Sequence, residues 1–178
     1  MKKNHYYYRG VNPTVDLIIF NPFDEVLMIR RSRYSEACPS MFAFPGGFID
    51  SNALAGEMWE RGLETPKEAA LRELAEETNF ILEQEVELIP VGVYVGDNRD
   101  PRDNQLSWSQ SYAFTFKINR EIFEAQKNNI KGLDDADMAQ WIGILELQKM
   151  ELAFDHKRIL SDTLKLFSFG ERNVRSSS

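Results

Sequence analysis

Cysteine is nearly missing from these 178 residues: Cys38 stands alone, which excludes an intramolecular disulfide framework and fits a reducing compartment. Long apolar runs are missing as well, and none approaches the roughly 20 residues that a membrane-spanning helix needs. The opening MKKNHYYYRG carries two lysines with no apolar stretch behind them, so it does not read as a secretory signal. Positive charge is in deficit: 21 Lys and Arg against 28 Asp and Glu leave a net −7. That balance argues against a surface built to neutralise nucleic-acid phosphates, which needs clustered basic side chains. A cytoplasmic location, with neither nucleic acid nor membrane as partner, is the expectation. A small phosphorylated ligand stays allowed, because a bound metal supplies positive charge locally. No repeat period is visible, and the length suits one substantial core.

What is present reads as mixed strand and helix. Val15 to Phe20 and Val26 to Arg31 form two apolar runs joined by Asn21-Pro22-Phe23-Asp24, a turn-rich tetrapeptide that predicts a hairpin. Val86 to Val95 and Ser109 to Ile118 are further strands, separated by the polar loop from Gly96 to Ser107. Ala136 to Ile144 reads as a last strand, followed by an amphipathic helical region from Leu145 to Phe169.

The stretch Glu64 to Phe80, ETPKEAALRELAEETNF, says most about chemistry. Thr65, Pro66 and Glu68 compose a helix start: an N-cap hydroxyl, a proline at the first helical position and a capping-box glutamate. Leu71, Leu74, Ala75 and Thr78 recur at helical spacing as a buried stripe. Glu73, Glu76 and Glu77 then fall together on the other side, where like charges three and four residues apart cost about 0.2–0.5 kcal/mol per pair. A divalent cation reverses that sign, since hard ions of the Mg²⁺ type take oxygen ligands. A solvated acidic face is the plain alternative for the three glutamates taken alone.

Upstream lies Ala43-Phe44-Pro45-Gly46-Gly47-Phe48-Ile49, a strand interrupted by a proline and two glycines, where backbone can approach a ligand closely. With it, Glu64, seven intervening residues, Arg72-Glu73-Leu74-Ala75-Glu76-Glu77-Thr78 and Phe80 resemble the Nudix box. Two departures stand out. Gly47 precedes Glu64 by seventeen positions where the pattern has six, so about eleven residues, roughly Ser51 to Arg61, are extra; with Met58 and Trp59 they form either a small lid or a plain surface insertion. Asn79 replaces the pattern's glycine, and asparagine is the next most tolerant residue for a left-handed helix stop.

The resemblance covers about residues 13 to 168 and implies an α+β fold: a Nudix-type α/β/α sandwich with a mixed sheet. It implies a single domain over 1–178, with the tail 170–178 flexible. The reaction class it implies is hydrolysis of a nucleoside diphosphate linked to another moiety, by attack of water at phosphorus with Mg²⁺ or Mn²⁺ as cofactor. Glu76 and Glu77 are the leading metal ligands, then Glu73; Glu64 and the Gly47 carbonyl complete the set by analogy. Arg72 is either an orienting residue paired with a helix carboxylate or an ordinary surface partner of Glu76. For the general base, a box glutamate competes with Asp134 and Asp135 of the later loop Lys131 to Asp137.

Asp97-Asn98-Arg99-Asp100-Pro101-Arg102 looks like the Arg-Asp-Pro-Arg loop of Nudix ADP-ribose pyrophosphatases. Asp134-Asp135-Ala136 ahead of Trp141 and Leu152-Ala153-Phe154-Asp155-His156 belong to the same group. Arg99 and Arg102 are candidates to hold a ribose or phosphate through charge-assisted bonds. Phe44, Phe48 and Tyr94 are candidates to stack on adenine, against the plain reading of 12% aromatics as core. His156 reads as a packing or hydrogen-bonding residue. Tyr6-Tyr7-Tyr8 either pairs as an edge strand or covers a partner in a homodimer. ADP-ribose giving AMP and ribose 5-phosphate is the leading expectation. The alternatives are another nucleotide (NADH, a dinucleoside polyphosphate or a nucleoside triphosphate) and a non-catalytic ADP-ribose sensor. Sensors of that kind append a DNA-binding module, and about ten residues after the last helix leave no room for one.

Overall fold

The computed structural model describes residues 6–96 and 99–175, with side chains to residue 167. Among the described residues one sheet is built from β1 (Gly10–Phe20), β2 (Glu25–Arg31), β3 (Phe42–Ala43), β4 (Ile89–Tyr94), β5 (Ser107–Lys117) and β6 (Ala136–Gly143). The helices are α1 (Pro66–Thr78), α2 (Arg120–Gln126), α3 (Ile144–Leu147) and α4 (His156–Arg175). β1 and β5 run parallel in unbroken register from Gly10 opposite Ser107 to Phe20 opposite Lys117, whereas the other pairings are antiparallel. The architecture is the mixed-sheet α+β sandwich that the resemblance implied.

β1 organises both faces. Side chains alternate across a strand, so Val15, Leu17 and Ile19 point one way and Ile18 and Phe20 the other. The first set packs with Ala70, Leu74 and Phe80 from α1 and its exit. The second packs with Met28, Phe44, Ile159 and Leu160 beneath α4. All five β1 side chains are buried, and each such burial is worth about 1.5–3 kcal/mol. The same alternation sends Asp16 to the α4 face, a polar residue in an apolar run.

The hairpin forms as expected: Asn21 Oδ1 accepts from the amides of Phe23 and Glu25 at 2.9 and 3.2 Å, and Asp24 takes a left-handed φ of 58°. β1 and β2 then register only at Phe20 and Val26. Farther along, residues 45–49 bond to β1 instead, with the Val15 amide donating to Gly47 O and the Leu17 amide to Pro45 O, both at 2.9 Å. Gly46 permits this approach, because a Cβ there would lie 2.1 Å from Val15 O. The expected interrupted strand is thus the two-residue β3 followed by a backbone segment clamped onto β1.

Several boundaries differ from the sequence expectation. α2 was not anticipated; seven residues are too few to display a helical period, although Asn119 caps it by accepting from the Ile122 amide at 2.9 Å. The region from Leu145 to Phe169 is not one helix. It breaks between α3 and α4, where the Ala153 amide donates to Phe42 O at 2.8 Å and Phe154 turns left-handed at φ 53°. The backbone of α4 continues to Arg175, into the expected tail, and residues 176–178 lie outside the described residues.

The extra segment 51–61 closes on itself through a bridge between Ser51 and Arg61 and docks on the N-terminal segment. The Arg9 amide donates to Glu57 O at 2.8 Å and the Gly56 amide to Tyr7 O at 2.9 Å. Trp59 Nε1 donates to Ile49 O at 3.2 Å, and its ring packs against the α1-side core. This favours the surface insertion over the lid: the segment braces Tyr7 and Arg9 and lines no part of the cavity beside Glu73 and Glu77.

Asn79 ends α1 at φ 57°, with its amide donating to Ala75 O at 3.0 Å and its side chain to Asn129 O at 2.9 Å. An alanine at that φ carries a Cβ penalty of roughly 1–2 kcal/mol, whereas glycine carries none. Asn79→Ala is therefore expected to lower unfolding free energy in urea by about 1–2 kcal/mol, and Asn79→Gly to lower it by clearly less; equal losses would contradict the helix-stop reading.

Candidate active site

α1 starts and stops where its capping chemistry demands. Thr65 Oγ1 accepts from the Glu68 amide at 3.3 Å, while Glu68 Oε2 accepts from the Thr65 amide at 2.8 Å. The helix thereby holds its acidic residues at fixed heights against the Gly46-Gly47 segment. Glu77 is buried, and its Oε2 accepts from the Gly46 amide at 2.9 Å. Glu73 sits one turn earlier, pressed so closely to Gly47 that a Cβ there would fall 2.4 Å from Oε1. Any larger residue at 47 would displace that carboxylate.

The three box glutamates do not share one solvated face. Glu73 and Glu77 point into the covered cavity, whereas Glu76 faces solvent with its side chain half exposed. The expected buried stripe shifts accordingly: Ala69 and Ala70 join Leu71, Leu74 and Thr78, and Ala75 is only half-buried. The cause is that packing covers α1 on two sides, by the sheet and by the glycine segment.

Arg72 gathers the rest of the acidic set. It forks onto Glu64 at 2.7 and 3.0 Å, reaches Glu73 at 2.8 Å and Glu76 at 3.0 Å, and donates to Phe48 O at 3.0 Å. Both sequence readings of Arg72 are therefore present, and the bidentate pair with Glu64 is the tighter. Glu64 also accepts from the Asp50 amide at 3.0 Å, which anchors the far end of the 51–61 segment. The Arg72 contact holds Glu64 below the usual carboxylate range.

Burial pushes Glu73 up to about 7, with Glu76 and Asp135 adding repulsion and Arg72 opposing it. Burial raises Glu77 well above its ordinary value too; the Gly46 amide and Arg31 counter it, and Glu73 and Asp135 reinforce it. Two buried carboxylates that repel each other and resist ionisation form a donor set suited in kind to a hard divalent cation. Among the described residues no three acidic, histidine or cysteine side chains converge into a ready-made metal cluster. Arg72 holds Glu64, Glu73 and Glu76 in this conformation.

The cavity beside this pair measures about 340 Å³. Of the sequence candidates, Gly47, Phe48, Arg72, Glu73, Glu77, Arg99, Arg102, Asp134 and Asp135 line it. Asp134 and Asp135 arrive on a loop pinned to the end of α1, where the Lys131 and Leu133 amides donate to Thr78 O at 3.2 Å and Glu77 O at 3.1 Å. Both aspartates are exposed, and Asp134 is left-handed at φ 51°. Glu64 and Glu76 stand outside the lining and connect to it through Arg72. Phe44 and Tyr94 lie in the core beneath α4, with Phe44 stacked 4.8 Å from the His156 ring and the Tyr94 hydroxyl donating to Asp162 at 3.1 Å. Neither presents a ring to the cavity.

The two loop arginines are already partnered. Arg99 is 6% exposed, bonds Asp16 Oδ2 at 3.0 Å and Ser109 Oγ at 3.1 Å, and lies 3.4 Å from Asp155. Arg102 forks onto Asp100 at 2.9 and 2.7 Å beneath the rings of Tyr6, Phe48 and Phe154. Tyr6 also donates its hydroxyl to Asp103. Asp97 and Asn98 of the same loop lie outside the described residues.

Sequence reading missed Asp16 altogether. Burial works to raise this carboxyl, yet His156, Arg99 and Ser111 outweigh it and hold it well below the usual range. His156, 1% exposed, places Nε2 3.1 Å from Asp16 and accepts the Phe44 amide on Nδ1 at 3.0 Å. The hydrogen-bonding role expected for it is what the structure shows. The available signal was a lone aspartate inside the apolar run Val15 to Phe20. Asp100, Arg31 and Phe154 were likewise not singled out as lining.

Residues 10–163 match the family model described as NUDIX domain. The chain belongs to the NUDIX domain family. It is 32% identical over 151 residues to an ADP-ribose pyrophosphatase of Methanocaldococcus jannaschii, covering 85% of this chain and 72% of that protein. It is 27% identical over 154 residues to the ADPR responsive transcriptional repressor NtrR of Acinetobacter baylyi, covering 83% of this chain but only half of that relative. The NUDIX domain of Shewanella oneidensis NrtR, solved with ADP ribose, superposes with a TM-score of 0.68 at 22% identity, over 89% of each chain, and shows the shared fold.

The Asp16 cluster carries a pH signature within this NUDIX domain. Its lowered carboxyl adds stability that is complete above the unfolded value, about 4, and is lost as pH falls below it. Urea unfolding between about pH 4 and pH 2 is expected to show a steeper loss in the native chain than in Asp16→Asn, by up to about 1.4 kcal/mol per pH unit. Parallel slopes would refute it.

Proposed function

We propose that the chain is a hydrolase that cleaves ADP-ribose into AMP and ribose 5-phosphate with a divalent cation, Mg²⁺ or Mn²⁺. The observation that carries this reading is one cavity with two chemically different sets of lining groups. The repelling carboxylates Glu73 and Glu77 line it together with Arg102, whose guanidinium lies against the rings of Phe48 and Phe154. The relative named as an ADP-ribose pyrophosphatase supports the substrate.

Glu73, Glu77 and the Gly47 carbonyl would hold the cation, and Glu64 and Glu76 would support them through Arg72. A bound divalent cation neutralises phosphate charge and lowers the pKa of water. Asp134 and Asp135, exposed on the loop bonded to the end of α1, would take the proton of the attacking water, and a box glutamate remains the other candidate base. Phe48, 41% exposed, lines the cavity and offers an aromatic surface on which a base could stack. The low-dielectric wall formed by Gly46, Gly47 and Val15 strengthens electrostatic contacts with a diphosphate.

The relative named as an ADPR-responsive repressor favours a second reading, a sensor that binds ADP-ribose without turning it over. A chromatographic panel separates the two. With Mg²⁺ present, AMP is expected chiefly from ADP-ribose and little product from NADH, diadenosine polyphosphates or nucleoside triphosphates. Turnover of another panel member would move the substrate, and binding of ADP-ribose without product would favour the sensor. Glu77→Gln keeps volume and removes charge, so turnover is expected to fall by about 10²-fold or more while the chain stays folded. Full activity of that variant would refute the metal role of Glu77.

A further inference from the structure

Two features stand outside the chemistry described so far, the extra segment 51–61 and the tyrosines at 6–8, and the fold joins them. The segment leaves and rejoins the chain at neighbouring points, where Ser51 bridges Arg61 and Ser51 Oγ donates to Glu60 O at 2.7 Å. Its base is anchored beside the site. Trp59 Nε1 donates to the carbonyl of Ile49, next in the chain after Phe48, and the Asp50 amide donates to the Glu64 carboxylate that Arg72 grips. Its outer turn holds the N-terminal segment: the Gly56 amide donates to Tyr7 O at 2.9 Å and accepting Glu57 O takes the Arg9 amide at 2.8 Å. Met58 presses on Gly10 so closely that a Cβ there would fall 2.8 Å from its terminal methyl. The backbone that follows Tyr6 is thereby fixed.

Of the three tyrosines Tyr6 is the buried one, at 5% exposure. Its hydroxyl donates to Asp103, which also accepts the Ser109 amide at 2.9 Å. Its ring meets Phe48 edge-on with centroids 6.1 Å apart, and Arg102 Cζ lies 5.2 Å from its centre. Phe48 and Arg102 line the cavity and Tyr6 does not. An exposed ring keeps one orientation only where neighbours back it, and Tyr6 backs Phe48 while Arg102 lies against both rings. Resting on the reading of the cavity as a nucleotide site, we propose that Tyr6 is a positioning residue for the base of the ligand, acting through Phe48 and Arg102. The 51–61 segment, which the Nudix pattern lacks, serves to hold Tyr6 there.

Calorimetric titration of the full chain with AMP and with ribose 5-phosphate, in one Mg²⁺-containing buffer, tests this, since the two ligands differ by the base alone. Tyr6→Ala is expected to weaken AMP about fivefold or more and ribose 5-phosphate less than about twofold. Tyr6→Phe keeps the ring and is expected to hold AMP within about twofold of the native value. Replacing residues 52–60 by Gly-Gly, a link that suits the paired Ser51 and Arg61, is expected to reproduce the selective loss of AMP. In that shortened chain Tyr6→Ala should then cost less than about twofold more, because the two changes remove one interaction. Equal losses for the two ligands, a Tyr6→Phe loss as large as that of Tyr6→Ala, or additive losses in the double variant would overturn the proposal. A native chain that binds AMP no tighter than ribose 5-phosphate would overturn it as well. The expected binding pattern in a chain that releases no AMP from ADP-ribose refutes the hydrolase reading alone.

Discussion

The buried carboxylate of Asp16 is the point on which the site's architecture hangs. It stands on the central strand, holds Arg99 of the β4–β5 loop, faces His156 at the start of α4 and accepts a hydrogen bond from Ser111 of β5. His156 in turn receives the Phe44 amide, so the glycine segment that flanks Glu73 and Glu77 is joined to the same cluster. Removing one partner from such a buried pair costs about 3–5 kcal/mol, because the remaining charge is left without compensation. Strand, loop, helix and glycine segment are positioned together by one charge that the fold cannot leave unpaired.

The lining of the cavity treats charge in two opposite ways. Near the glycine segment the protein concentrates carboxylates and lets burial raise them, which leaves a demand for cationic charge. Around Arg99 and Arg102 it pairs each arginine with an aspartate, which removes the positive charge that a motif alone suggests. Arg31, alone of the four arginines lining the cavity, makes no ion pair among the described residues. Neutral ion pairs shape the walls, and the unbalanced groups are left among the lining residues.

The legibility of the chain in its sequence follows the range of the interactions involved. Capping of α1 by Thr65 and Glu68, its stop at Asn79 and the hairpin at Asn21 to Asp24 all arise within a few residues, and each was visible as a pattern. The break between α3 and α4 was not, because it depends on β3, a partner more than a hundred residues earlier, taking a hydrogen bond from Ala153. Phe44 and Tyr94 carried the right chemistry for stacking but lie under α4, a matter of packing that spacing does not reveal.

Composition and local motifs by themselves determined the family, the mixed-sheet α+β class and the presence of an acidic helix beside a glycine segment, since these are written in residue type and short-range periodicity. Only the tertiary structure decided which charges remain unbalanced. The sequence marked Arg99 as a candidate and passed over Arg31, yet Arg99 meets Asp16 from a strand 83 residues away while Arg31 meets a carbonyl and a ring. Pairing of buried charge is a property of three-dimensional proximity, and proximity is what the fold supplies.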